Sequence, residues 1–119
     1  MTNTAKSLVP FGVYMMVVGL ALLAVPDAII TLLGFEAVED VWIRLFGWML
    51  ISAGYLYIQV GRSGHEVFAR ATVLVRLPVV LVHLVLFLLE LAPPMLIAFG
   101  AVDLVGALWT AIALRRDNA

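Results

Sequence analysis

Apolar residues fall into four runs, each bounded by proline, glycine or charge. Residues 8–25 carry no charge over 18 positions and end at Pro26-Asp27. Further runs cover residues 41–60, 72–91 and 95–114, the last two joined by Pro93-Pro94. Each is about 20 residues, which at about 1.5 Å per helical residue matches a hydrocarbon core of about 30 Å. The pattern predicts an all-α, four-helix transmembrane bundle in a single domain. After the first span, Asp27 offers a cap and Gly34 a stop for a short, mostly apolar helix at the interface. The acidic group Glu36, Glu39 and Asp40 follows it, and GRSGHEVFAR (61–70) reads as a polar loop between the second and third spans.

Composition agrees with lipid as the main solvent. The 119 residues are 65% hydrophobic and 13% charged, against about 45–50% and about 25% in soluble domains. A soluble fold this small could not bury so much apolar surface. Net charge is −1, so nothing points to nucleic acid. With no cysteine, disulfides, thiolate metal sites and thiol-relay chemistry are excluded. A signal peptide is the competing reading of residues 8–25, but no Ala-x-Ala pair stands near Val25.

Charge also orients the bundle. With four spans, both termini and the 61–70 loop share a side, which holds Lys6, Arg62, Arg70, Arg115 and Arg116, while the other two loops hold no Lys or Arg. Positive residues mark the cytoplasmic face. The expectation is a plasma (inner) membrane protein with both termini inside.

Small residues mark helix-packing faces. Gly47, Ile51, Gly54, Ile58 and Gly61 form one stripe on the second span, with Gly12 and Gly19 seven apart on the first. Gly100, Asp103, Gly106, Ala107 and Thr110 share a face of the fourth. Packing is the favoured role for Gly47, Gly54, Gly100 and Gly106.

The candidate polar site is Arg44, Arg76, His83, Glu90 and Asp103. Arg76, His83 and Glu90 are spaced by seven, so one continuous helix would set them in a line, and intramembrane charges usually face the bundle interior. Arg76 is near enough to the cytoplasmic end to snorkel. Arg44 and Glu90 have similar depths near the outer end, which predicts an ion pair between the second and third spans. His83 and Asp103 are equidistant from Pro93, so a symmetric hairpin would bring them face to face as a hydrogen-bonded pair. The favoured role of that pair is structural, and a proton-handling or ligand-polarising site is the alternative. One His and one Asp are too few for a closed metal site, so no metal or other cofactor is expected. Pro78 removes a backbone donor and predicts a bend. His65 reads as a solvated loop residue.

The stretch GLALLAVPDAIITLLGF, with the Arg44–Gly47 entry Arg-Leu-Phe-Gly to the second span, resembles the small four-helix DoxX-like membrane proteins. The likeness covers the whole architecture but only the first half by motif. It implies a bacterial inner-membrane protein, in some members associated with oxidoreductase partners, and transfers no catalytic residue. The first functional expectation is a non-enzymatic accessory subunit that binds a lipid or a membrane-protein partner, including a second copy of itself. The alternatives are a membrane enzyme or lipophile-binding protein using His83, Asp103 and Glu90, and an oligomeric proton-coupled carrier.

Overall fold

The computed structural model describes residues 2–36 and 41–118. Glu39 and Asp40 of the acidic group lie outside them. The chain is all-α: α1 (Asn3–Ala24), α2 (Pro26–Leu32), α3 (Val41–Arg62), α4 (Glu66–Arg76), α5 (Val79–Leu88) and α6 (Met95–Asp117). Four segments are long and apolar enough to cross a membrane: α1, α3, α4 with α5, and α6. The coarse reading of a membrane protein with four spans therefore stands.

Several boundaries differ from expectation for local reasons. The 61–70 loop shrinks to residues 63–65, because α3 runs on to Arg62 and α4 starts at Glu66. His65 is not merely solvated: its Nδ1 accepts from the Phe68 N–H at 3.1 Å and caps α4. Asp27 does not cap α2. Pro26 occupies the first helical turn, where its missing N–H costs nothing, and Asp27 follows it. Gly34 does end α2, at φ +94°, with Gly34 N–H bonded to Thr31 O and Phe35 N–H to Ile30 O. That pairing is the left-handed helix stop that glycine favours.

At Pro78 the third span is interrupted and divides into α4 and α5. Leu77 N–H still reaches Val73 O at 3.0 Å, and Pro78 O accepts from Val82 N–H at 3.0 Å. Residues 77–78 form a turn between α4 and α5, because Pro78 has no N–H to donate and the helical ladder resumes only with Val82.

The helices are arranged as α3 on α1, α1 on α6, and α6 on α4 and α5. The α1–α3 seam is antiparallel and set by paired glycines. A Cβ added at Gly54 would lie 2.5 Å from the Gly12 carbonyl oxygen, and one at Gly47 2.6 Å from that of Gly19. Backbone therefore meets backbone twice, seven residues apart on each helix. Lipid tails are as apolar as leucine, so such close contact is what holds membrane helices together.

The two termini meet at one end. The Asp117 carboxylate accepts from Asn3 N–H, Thr4 N–H and Thr4 Oγ1 at 3.1, 2.8 and 2.6 Å. These bonds satisfy first-turn donors of α1 that have no partner within the helix. Asn118 reaches Glu66 at 3.3 Å, which brings the α3–α4 turn to the same end.

Candidate functional site

Two connected polar features occupy the interior. The first is a ladder that descends from the joined termini to Arg76. Ser7 Oγ donates to Thr4 O at 2.7 Å and lies 2.8 Å from Thr110 Oγ1. Arg76 Nη2 donates to Thr110 Oγ1 at 2.8 Å and to Thr72 Oγ1 at 3.1 Å, and Nε donates to Thr72 O at 3.2 Å. With its one proton on Thr4 O, Ser7 must accept from Thr110, so the chain runs Arg76 to Thr110 to Ser7 to Thr4.

Arg76 does not snorkel. Its residue is 2% exposed, with the guanidinium carbon 4.6 Å from the Phe11 ring centre and 5.5 Å from that of Tyr57. Burying a cation is costly unless it is hydrogen-bonded and paired. Two threonines and two aromatic faces meet part of that demand here. Gly106 makes the room, since a Cβ there would lie 3.0 Å from Nη1 and 2.8 Å from the Phe11 ring. Nη1 itself has no hydrogen-bond partner.

The second feature is a cavity of about 300 Å³ to which all four spans contribute. Phe11, Tyr14, Met15, Val18 and Leu22 come from α1, Phe46 and Leu50 from α3, Val79 and His83 from α5, and Leu96, Phe99 and Asp103 from α6, with Leu33 closing one side. Phe11 belongs to both features: one face takes the Arg76 cation and the ring lines the cavity. The polar members are Tyr14, His83 and Asp103.

His83 and Asp103 line the same cavity but are not hydrogen-bonded to each other. His83 Nδ1 lies 2.8 Å from Leu96 O. A carbonyl only accepts, so Nδ1 carries the proton and Nε2 of the neutral ring keeps its lone pair. Leu96 is two helical turns before Asp103 on the same face of α6. The hairpin is asymmetric about Pro93, because α5 stops at Leu88 and residues 89–94 make the turn. That shift sets His83 level with the start of α6. Gly100 lets α5 come in, as a Cβ there would lie 2.8 Å from Val80 Cα and 3.0 Å from His83 Nδ1.

Asp103 makes no hydrogen bond among the described residues. Its carboxylate lies within electrostatic reach of Arg76, His83, Tyr14 and Tyr57. It is therefore the charge on which the two features converge.

Arg44 and Glu90 do not join the site, and the expected ion pair between them is absent. Arg44 Nη1 donates to Leu23 O at 2.6 Å. It thereby serves a carbonyl at the end of α1 that lacks an intrahelical partner, where the helix dipole also favours a cation. Glu90 falls after the end of α5, at φ +60°. Its N–H bonds Phe87 O, and Leu91 N–H bonds Leu86 O. Glu90 occupies the left-handed stop position that glycine occupies after α2, so the line through Arg76 and His83 ends before it. Among the described residues the one ion pair is Arg70–Glu66, 2.5 Å, at the exposed end of α4.

Sequence reasoning missed Tyr14, Phe11, Ser7 and Thr72, and placed Thr110 on a packing face without assigning it to the polar site. Thr72 stands one turn before Arg76, and Thr110 one turn after Gly106, so both were visible as polar neighbours of a buried cation. No family model, curated protein or solved structure matches the chain.

Proposed function

We propose that this protein is an accessory membrane protein that binds a lipophilic molecule in the cavity between its four spans. One observation carries the reading: the Asp103 carboxylate lines an apolar cavity and has no protein hydrogen-bond partner among the described residues. Leaving such a group unsatisfied in a hydrocarbon environment is expensive, and intramembrane ionisable residues are functional sites by default. A cavity of about 300 Å³ is at the small end of ligand sites, which run from about 300 to about 1,000 Å³, mostly apolar with a few convergent polar groups. Tyr14, His83 and Asp103 are those groups.

The membrane is the plasma (inner) membrane of a bacterium, with the joined termini on the cytoplasmic side. Lys6, Arg62, Arg70, Arg115 and Arg116 support that orientation, and the DoxX-like resemblance of the first half supports the setting.

Native mass spectrometry of the protein released into mild detergent tests the binding. The wild-type chain should carry a non-protein mass. Val18→Trp, which fills the cavity from α1, should fold and lose it. An adduct of the same mass and occupancy on both proteins would contradict the proposal.

A further inference from the structure

The cavity has a polar end at Asp103 and His83 and borders a second, apolar cleft. A second cleft, of about 410 Å³, shares Leu22, Leu33, Phe46 and Leu96 with it and continues past Ile30 and Phe35. Those last two belong to α2 and the turn after it. The two apolar clefts therefore adjoin along these shared residues, the second lying beside the short helix.

Building on the lipophile-binding reading, we infer that the occupant is a neutral, single-tailed amphiphile with a hydroxyl head. Its O–H donates to Asp103 or His83, and its tail extends into the adjoining cleft beside α2. An excess of acceptors in the cavity carries the argument. As a carboxylate balancing the buried Arg76 guanidinium, Asp103 only accepts, and His83, with its Nδ1 proton committed to Leu96 O, offers Nε2 as a second acceptor. Tyr14 supplies the O–H that the ligand oxygen takes. The ligand must bring a donor, which excludes ethers and esters as tight-binding heads.

Charge narrows the head further. Asp103 already has an opposite charge in reach, the buried Arg76 guanidinium. A carboxylate head would set a second anion beside Asp103. An ammonium head would add a cation in reach of Arg76. Either leaves an uncompensated charge in a low-dielectric interior, which costs far more than a neutral hydrogen bond returns. A hydroxyl brings no charge and satisfies the carboxylate.

The test uses the full chain in nanodiscs of an uncharged phospholipid, with radiolabelled dodecanol as the probe. Dodecyl methyl ether, dodecylamine and dodecanoate, matched in tail, serve as competitors. Saturable dodecanol binding is expected, with the ether competing about tenfold more weakly, the factor for losing a hydrogen bond to a charged group. The amine and the carboxylate should be weaker than the alcohol as well. Asp103→Leu should bring the alcohol down to the ether's affinity and leave the ether unchanged. Equal competition by the ether would overturn the hydroxyl head while leaving the cavity reading in place. A tighter amine or carboxylate would overturn the neutral head. No saturable binding of any probe would overturn both readings. The alcohol-to-ether ratio is read on the wild-type chain, so the result does not depend on a variant folding.

Discussion

Arg76 donates to Thr110 across 2.8 Å between α4 and α6, and both side chains are buried. This bond ties the third span to the fourth and fixes the cation beneath Phe11, the floor of the cavity. Thr110→Val keeps the side-chain shape and removes the acceptor. A hydrogen bond to a charged group contributes about 1.5–3 kcal/mol, and an orphaned guanidinium donor is penalised on top. We expect a loss of about 2 kcal/mol, read as a lower unfolding midpoint in mild detergent, with Thr110→Ser close to wild type. A Thr110→Val midpoint equal to wild type would mean that the bond carries no weight.

The glycine seam should be equally intolerant. Gly54→Val must push α3 away from the Gly12 carbonyl, whereas Ala53→Val enlarges a side chain that the neighbouring, half-buried position already carries. Overpacking at a close contact typically costs about 1–3 kcal/mol. Steric-trap unfolding should rank Gly54→Val well below Ala53→Val. The reverse order would remove the seam as the basis of α1–α3 packing.

The fold was legible because hydropathy, glycine spacing and proline each act locally. Span lengths, the stop at Gly34 and the interruption at Pro78 follow from a few neighbouring residues. The glycine stripe on α3 was visible too, although its register against Gly12 and Gly19 was not. What misled was the assumption of depth without partners. Arg76 was expected to reach for water, because its partners Thr110 and Phe11 are distant in sequence. Arg44 and Glu90 were matched by depth, but Arg44 is satisfied by a carbonyl at the end of α1, a donor–acceptor pair that charge patterning does not reveal. His83 and Asp103 were matched by symmetry about Pro93. The left-handed turn at Glu90 breaks that symmetry, and no glycine marked it.

Glu90 offers a simple check on that turn. At φ +60° a β-carbon is disfavoured, and glycine is the usual residue there. Glu90→Gly should stabilise the protein by up to about 1 kcal/mol, while Glu90→Val should destabilise it. Thermal midpoints for the two variants decide this. If the glycine variant were less stable than the valine one, the side chain would be holding something that the turn geometry does not explain.

Topology is open to a direct assay. Reporters fused after Ala119 and inserted near Glu39 should report opposite sides of the membrane, the first cytoplasmic. Replacing Arg115 and Arg116 with Gln should weaken that preference, since positive residues near span ends set orientation. Reporters that give the same side would break the four-span reading.

The central claim is that the space beside Asp103 and His83 holds a lipophile, and photolabelling in native membranes tests it most directly. A diazirine-bearing long-chain alcohol is activated by light, and the labelled residues are mapped by peptide mass spectrometry. Labels on the cavity residues Leu50, Leu96 and Phe99, which fade when excess dodecanol competes, are the predicted result. Labels confined to the outward-facing Val17, Leu56 and Val105, unchanged by competitor, would contradict the account.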